Sequence, residues 1–384
     1  MSQGSIRKFF PGANTSRGFY SLYKYIIPQD TTRIFIVKGG PGVGKSTFMK
    51  KICQSFTEQG YDAEWHCCSS DNGSIDGLVL AQIGVALIDG TAPHIVDPKN
   101  PGAVDEIIHL GDYWDESVLR LHKEEILTVN ARVGRLFGLA YFALAEAQAA
   151  MNEWKSYATE AQNWGRVNQR FVSMWQEVVS TGGFTGQWDV PPVDRHLFAW
   201  AVSPQGKCNY IDTLLPGIGR LYLLNGAPGS GKSDFLNNFG QRAMELGFDV
   251  EFYHNSLNPE ELDGVIVRTL GTAMFSGSDP FAYVPQGFNG EIIQVDLAAS
   301  LDKHVLNLYA NEVAAAAQRF AGSMERAIAF IAKAKAEHDT METYYVKAMD
   351  FAAIEQRRQA IEQRIRGYAA ELTRAATANA DKRI

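Results

Sequence analysis

The feature that most limits what this chain can fold into is that it repeats itself. Gly39-Gly40-Pro41-Gly42-Val43-Gly44-Lys45-Ser46 and Gly226-Ala227-Pro228-Gly229-Ser230-Gly231-Lys232-Ser233 share the pattern G-x-x-x-x-G-K-S and lie 187 positions apart. The same offset aligns Arg33 with Arg220, Phe48 with Phe235, Gly60 with Gly247, Asp62 with Asp249 and Glu64 with Glu251. It continues through Ser69/Ser256, Asp76/Asp263, Gly84/Gly271, Pro93/Pro280 and Pro98/Pro285 without a gap. The segments ahead of the loops agree at 188, as in Arg7/Arg195, Phe10/Phe198 and Gly18/Gly206. Periods of a few tens of residues build solenoids; a period this long duplicates a whole domain.

Each copy reads as alternating strands and helices. The runs Arg33 to Val37 and Arg220 to Leu224 suit a buried strand, and the glycine loop follows. A helix then runs to about Glu58 or Glu245, stopped by Gly60 or Gly247. Further strands are expected at Ala63 to Cys67 and Val250 to His254, then at Val85 to Ile88 and Thr272 to Phe275. The expected fold class is α/β, with two tandem domains on parallel sheets, each followed by a long helical hairpin. Breakers are few between about Glu116 and Ser180, and between Leu301 and Ala375. The expected divisions are 1–115 for the first domain, 116–180 for its hairpin, 181–194 for a linker, 195–300 for the second domain and 301–384 for the second hairpin. Tyr157/Tyr344, Ala161/Ala348, Trp164/Phe351 and Val167/Ile354 form one helical stripe. Its plain reading packs the two arms of a hairpin together; a lid or a partner-binding face is the alternative.

Composition excludes several classes. In 384 residues, 46% are hydrophobic and 21% charged, which is globular material, and the net charge of −7 argues against a nucleic-acid binder. Cys53, Cys67, Cys68 and Cys208 contain no C-x-x-C pair, so neither a disulfide framework nor structural zinc is expected. No run approaches about 18 uninterrupted apolar residues, so no membrane span or signal peptide is expected, and the cytoplasm is the expected compartment.

The loops carry the chemistry. A polyphosphate must be met by backbone N–H groups with no side chain in the way, and the following helix adds its positive N-terminus. Lys45 is expected to reach the outer phosphates, Ser46 to ligate Mg²⁺ and Thr47 to touch an inner phosphate. Asp89, after four apolar residues, is the expected carboxylate of the magnesium shell; its plain reading is a turn with Gly90. Lys45 and Asp89 are thus the expected catalytic pair, and Ser46 and Asp89 the expected metal site. Many ATPases carry Glu directly after that Asp, where Gly90 stands here. Asp71, His94 and Asp97 remain as candidates for activating water, each with a plain structural reading beside it. Cys67 and Cys68, at a strand end, are read as buried unreactive thiols.

In the second copy the loop residues Gly226 to Ser233 persist but their surroundings change. Ser276 stands at the position of Asp89, Asp234 at that of Thr47, Phe281 at that of His94 and Val284 at that of Asp97. Serine brings no charge to a magnesium shell, and Asp234 adds a negative charge near the cradle. Asp263 or Asp279 would have to compensate. The second copy is expected to bind nucleotide weakly or structurally, without hydrolysis. Arg7, Arg17, Arg33, Arg195, Arg220 and Arg268 are further cations available to a transition state, and none is assigned as catalytic.

The two loops resemble those of the P-loop NTPase superfamily. The stretch from Arg33 to Pro98, with Ile88-Asp89-Gly90-Thr91-Ala92-Pro93-His94, resembles more closely a family of tandemly duplicated P-loop ATPase-like proteins found mainly in Firmicutes. That resemblance implies nucleotide binding and specifies no substrate. The expected function is an ATP- and Mg²⁺-dependent switch, with the first site active, the second degenerate and the two repeats forming an intramolecular pseudo-dimer. The hairpins are expected to meet a protein partner. A small-molecule kinase and a non-hydrolysing scaffold are the competing expectations. The absence of an N-K-x-D motif favours adenine over guanine.

Overall fold

The computed structural model describes residues 3–28, 31–92, 95–182 and 189–381. In chain order the first copy contains β1 (Ile6–Phe9), β2 (Gly12–Thr15), β3 (Gly18–Ser21), β4 (Arg33–Lys38), α1 (Lys45–Thr57), β5 (Ala63–Cys67), β6 (Ile75–Leu80), β7 (Val85–Asp89) and β8 (Asp105–His109). The helices α2 (Glu116–Leu121), α3 (Lys123–Ala161) and α4 (Trp164–Gly182) follow. The second copy repeats the series as β9 (Asp194–Leu197), β10 (Trp200–Ser203), β11 (Gly206–Asn209), β12 (Arg220–Asn225), α5 (Lys232–Glu245), β13 (Val250–His254), β14 (Leu262–Val267), β15 (Thr272–Ser276) and β16 (Glu291–Asp296). It closes with α6 (Lys303–Leu308), α7 (Ala310–Ala348) and α8 (Phe351–Asp381).

The two six-stranded sheets have the same order, β1-β5-β6-β7-β4-β8 and β9-β13-β14-β15-β12-β16. Neither is wholly parallel, which corrects the parallel sheets expected from the sequence. β6 runs antiparallel to β5 and β7, and β14 does the same between β13 and β15. The cause is connection length. Only residues 68–74 separate β5 from β6, and a 3-10 turn ending on Gly84 (φ +67°) separates β6 from β7. Neither connection has room for the crossover of about a dozen residues that a parallel return needs. β7, β4 and β8 are parallel, and so are β15, β12 and β16.

The helices also depart from two self-contained hairpins. α3 and α7 each run 39 residues without interruption, about 58 Å at 1.5 Å per residue. Contacts divide the chain into one unit of Met1–Pro11, Tyr23–Leu136 and Ala332–Ile384, and another of Gly12–Leu22 and Phe137–Ile331. Each unit therefore takes the end of the long helix that belongs, by sequence, to the other copy. This division differs from the contiguous ranges expected above, because a helix of that length carries its end far from the sheet that precedes it.

Within the second unit, Val167, Phe171, Met174 and Val178 of α4 join Phe235, Leu236 and Phe239 of α5 in one core over the sheet. Phe171 meets Phe235 edge-on at 5.1 Å. A second cluster sets Ala140, Ala143, Ala147 and Met151 of α3 with Phe320, Ala327 and Ile331 of α7. Within the first unit, α8 packs along α1, where Lys51 pairs with Glu355 at 2.9 Å and Ser55 donates to Glu362 at 2.6 Å. Among the described residues no helix is long and apolar enough to cross a membrane. The middle of the expected linker, residues 183–188, lies outside the described residues.

Candidate functional site

In the first unit, residues 39–44 carry the chain from β4 into α1, so Lys45 and Ser46 are the first residues of that helix. Gly42 (φ +68°) and Gly44 (φ +88°) hold left-handed backbone, which bends the loop back on itself. The Lys45 ammonium donates to the carbonyls of Gly39 and Gly40 at 3.0 and 2.9 Å. The Ser46 hydroxyl accepts from the backbone N–H of Ile75, the first residue of β6, at 3.0 Å. Thr47 is exposed, and Val43 is buried beneath the loop.

Asp89 ends β7, beside Val37 of β4, and this places it at the loop. Its two oxygens divide the expected roles. Oδ1 accepts from Thr91 N–H at 2.8 Å, which is the turn reading, while Oδ2 lies 3.6 Å from the Lys45 ammonium. Burial raises the Asp89 carboxyl, and Lys45 opposes that shift. Space disfavours a side chain at Gly90: a Cβ there would lie 2.5 Å from the Ile36 side chain and 3.1 Å from the Val96 carbonyl oxygen, so a glutamate would have to displace its neighbours.

Asp76, on β6, is the member that sequence reading passed over. It is buried, and its carboxyl is pushed up to about 7, first by burial and then by the charge of Asp89. Tyr23, Cys68 and Lys45 interact with it and oppose the shift. The signal was present in the 187 register, which keeps Asp76/Asp263 although it changes Asp89 to Ser276. Burial also pushes the Cys68 thiol well up, consistent with an unreactive thiol.

The other candidates are held elsewhere. Asp71 accepts from Gly73 N–H and the Ser74 hydroxyl and pairs with Lys335 at 3.3 Å. Asp97 is largely exposed and pairs with Lys38 at 2.7 Å. His94 lies outside the described residues. Arg7 pairs with Glu64, Arg33 with Glu106, Arg17 with Glu260 and Arg268 with Glu251.

The second unit repeats the framework. Gly229 (φ +89°) and Gly231 (φ +94°) shape the loop between β12 and α5, and Ser230 is buried within it. The Lys232 ammonium donates to the carbonyls of Gly226 and of Ala227, the latter at 3.2 Å, and the Ser233 hydroxyl accepts from Leu262 N–H at 2.9 Å. Thr91 and Ser278 play equivalent parts, donating to the carbonyls of Gly39 and Gly226 at 3.1 and 2.6 Å. The difference is the carboxylate. Ser276 ends β15 where Asp89 ends β7, and Lys232 has Ser278 at 3.3 Å. Asp263 is half-buried beneath, accepting from the Trp200 indole at 2.7 Å and from Asn255 at 2.8 Å. A cavity of about 370 Å³ opens over this second loop, with Lys232, Asp234, Asp263 and Asp279 in its wall.

Helices lie on both loops. A Cβ on Gly40 would lie 2.6 Å from the Tyr345 ring and one on Gly42 3.0 Å from the Glu342 carbonyl oxygen, both on α7. A Cβ on Gly229 would lie 2.3 Å from the Lys155 carbonyl oxygen on α3, and one on Gly231 would lie 2.8 Å from Trp164 on α4. The stripe that includes Trp164 and Phe351 therefore does not join two arms of a hairpin. It straddles the breaks before α4 and α8, which Asn163 and Asp350 cap by accepting from Arg166 N–H and from Ala352 and Ala353 N–H.

Fold and site together define a duplicated mixed α/β protein with a lysine-bearing glycine loop, roofed by helix, in each unit. No family model, no curated protein and no solved structure matches the chain.

Proposed function

We propose that the protein binds nucleoside triphosphate as a P-loop NTPase, and that it hydrolyses ATP with Mg²⁺ at the first copy while the second retains the cradle without the chemistry. One observation carries this reading: Lys45 has the Asp89 carboxylate at 3.6 Å, whereas the second copy has Ser276 at the position of Asp89 and Lys232 has the Ser278 hydroxyl at 3.3 Å. The residues fit a magnesium-complexed triphosphate. The loop N–H groups and Lys45 would hold the phosphates, and Ser46 and Asp89 would hold the metal, which supplies charge neutralisation at the transferring phosphate. Asp76, whose carboxyl burial and then Asp89 push up to about 7, would hold a proton beside Asp89 and could give it up if a cation neutralised that charge. Because α7 rests on Gly40 and Gly42, a loop that closes on phosphate moves against that helix. This supports a switch whose state is passed to a protein partner through the long helices.

The test is nucleotide binding and phosphate release for Lys45→Ala and Lys232→Ala, measured separately. The reading expects Lys45→Ala to abolish turnover and Lys232→Ala to spare it. The reverse pattern would sink the assignment of the working site, and ADP formation that requires an added acceptor, without phosphate release, would make the protein a kinase.

A further inference from the structure

We infer that Lys155 of α3 recognises the terminal phosphate of a magnesium-complexed nucleoside triphosphate in the second copy, and passes occupancy of that site to the helix. The inference rests on the reading of Gly226 to Ser233 as a phosphate cradle.

The cavity over the second loop holds two lysines, Lys232 from the loop and Lys155 from the helix above it. Their charges are close enough to disfavour one another. Lys232 is drawn down to about 8, first by burial and in part by Lys155, against the pull of Asp263 and Glu261. Two ammonium groups sharing a partly closed pocket are stabilised by an anion between them. Glu261 now serves Lys155 as a surrogate partner, and it also accepts from Asn258 at 2.9 Å. A phosphate oxygen competes directly for the Lys155 ammonium. The acids Asp234, Asp263 and Asp279 in the same wall favour a ligand that brings a divalent cation over a bare anion.

The helix is bound to the loop by more than this side chain. The Lys155 carbonyl is in the space that a Cβ on Gly229 would need, Thr159 donates to the Gly229 carbonyl at 3.4 Å, and Gln162 donates to the Ser230 carbonyl at 2.7 Å. A ligand that draws Lys155 from Glu261 therefore acts on the last two turns of α3. The first copy cannot do the same. The residue 187 positions on is Glu342, whose backbone covers Gly42 and whose carboxylate pairs with His338 at 3.4 Å.

The experiment uses the full chain carrying Lys45→Ala, so that only the second copy reports. It is titrated calorimetrically with the β,γ-imido analogue of ATP and with ADP, both with Mg²⁺. Lys155→Met is expected to weaken the analogue roughly tenfold or more, as loss of one charge-assisted contact does, and ADP much less. Lys155→Arg should keep most of the affinity and Glu261→Gln should not weaken it. Amide exchange in residues 155–162 should change with the analogue in the parent but not in Lys155→Met. If Lys155→Met fails to fold, the Lys155→Arg and Glu261→Gln pair decides: weakening by Glu261→Gln overturns the competition. Unchanged analogue affinity in Lys155→Met, with loss in Lys232→Met, overturns the role of Lys155 and leaves the cradle reading standing. No binding of either nucleotide by the Lys45→Ala chain overturns the cradle reading itself.

Discussion

The Lys45 ammonium and the Asp89 carboxylate lie 3.6 Å apart, while the other oxygen of Asp89 is engaged by the N–H of Thr91. One side chain thus forms the turn that ends β7 and fixes the charge opposite the loop lysine. Replacing it with the serine of the second copy separates these two duties. Asp89→Ser can still accept from Thr91 N–H, so the turn survives, but the charge is gone. Weakened Mg²⁺ dependence by roughly 10- to 100-fold is expected, with thermal stability close to the parent. Turnover against Mg²⁺ concentration measures it; a parent-like magnesium curve would remove Asp89 from the metal site.

Asp76 and His254 give the two units opposite responses to pH. The Asp76 carboxyl rises from 3.8 unfolded to about 7 folded, so the folded unit holds a proton that the unfolded chain releases. Stability is full below the unfolded value and falls as pH rises toward 7, by up to about 4 kcal/mol. Asp76→Asn should flatten this slope between pH 4 and 7. Urea melts of parent and variant across that window are the measurement, and parallel curves would contradict it.

His254 runs the other way. Burial first, and then His196, lower it from 6.5 to about 4, so stability falls as pH drops from 6.5 toward 4, by up to about 3 kcal/mol. Its Nδ1 faces the Pro259 carbonyl at 2.6 Å, which can only accept, so the proton sits on Nδ1 and Nε2 accepts from His196 at 2.8 Å. Nitrogen chemical shifts at pH 6 should show a neutral ring protonated at Nδ1; an imidazolium or the Nε2 tautomer there would refute this.

The loop glycines differ in what a methyl group would meet. Gly44→Ala meets only Phe351, at 3.7 Å, and mainly bears the left-handed backbone cost of about 1–2 kcal/mol. Gly229→Ala bears that cost and also drives a carbon to 2.3 Å from a helix carbonyl that has no flexible end to yield. Greater loss of stability in Gly229→Ala than in Gly44→Ala, together with faster proteolysis at the end of α3, is expected. Equal losses would mean that α3 does not rest on the loop.

Much of this was legible in the residues. The 187-residue register placed both loops, the strands before and after them, the helix ended by Gly60, and the exchange of Asp89 for Ser276. These follow from local chemistry: glycine where φ must be positive, apolar runs where a strand is buried, and breakers where an element stops. The strands β6 and β14 were not read from the sequence, and their antiparallel direction is set by the short connections on either side. Nor could the sequence show that Asp76 titrates near 7, since that shift comes from burial against Asp89, a neighbour only in space. The long helices hid the most. Their composition marked helical stretches from about Glu116 to Ser180 and from Leu301 to Ala375, but the unbroken 39-residue spans and the glycine loop each end covers are set by tertiary packing. Through that packing Lys155 and Glu342, opposite charges at one repeat position, come to lie over glycine loops far from them in sequence.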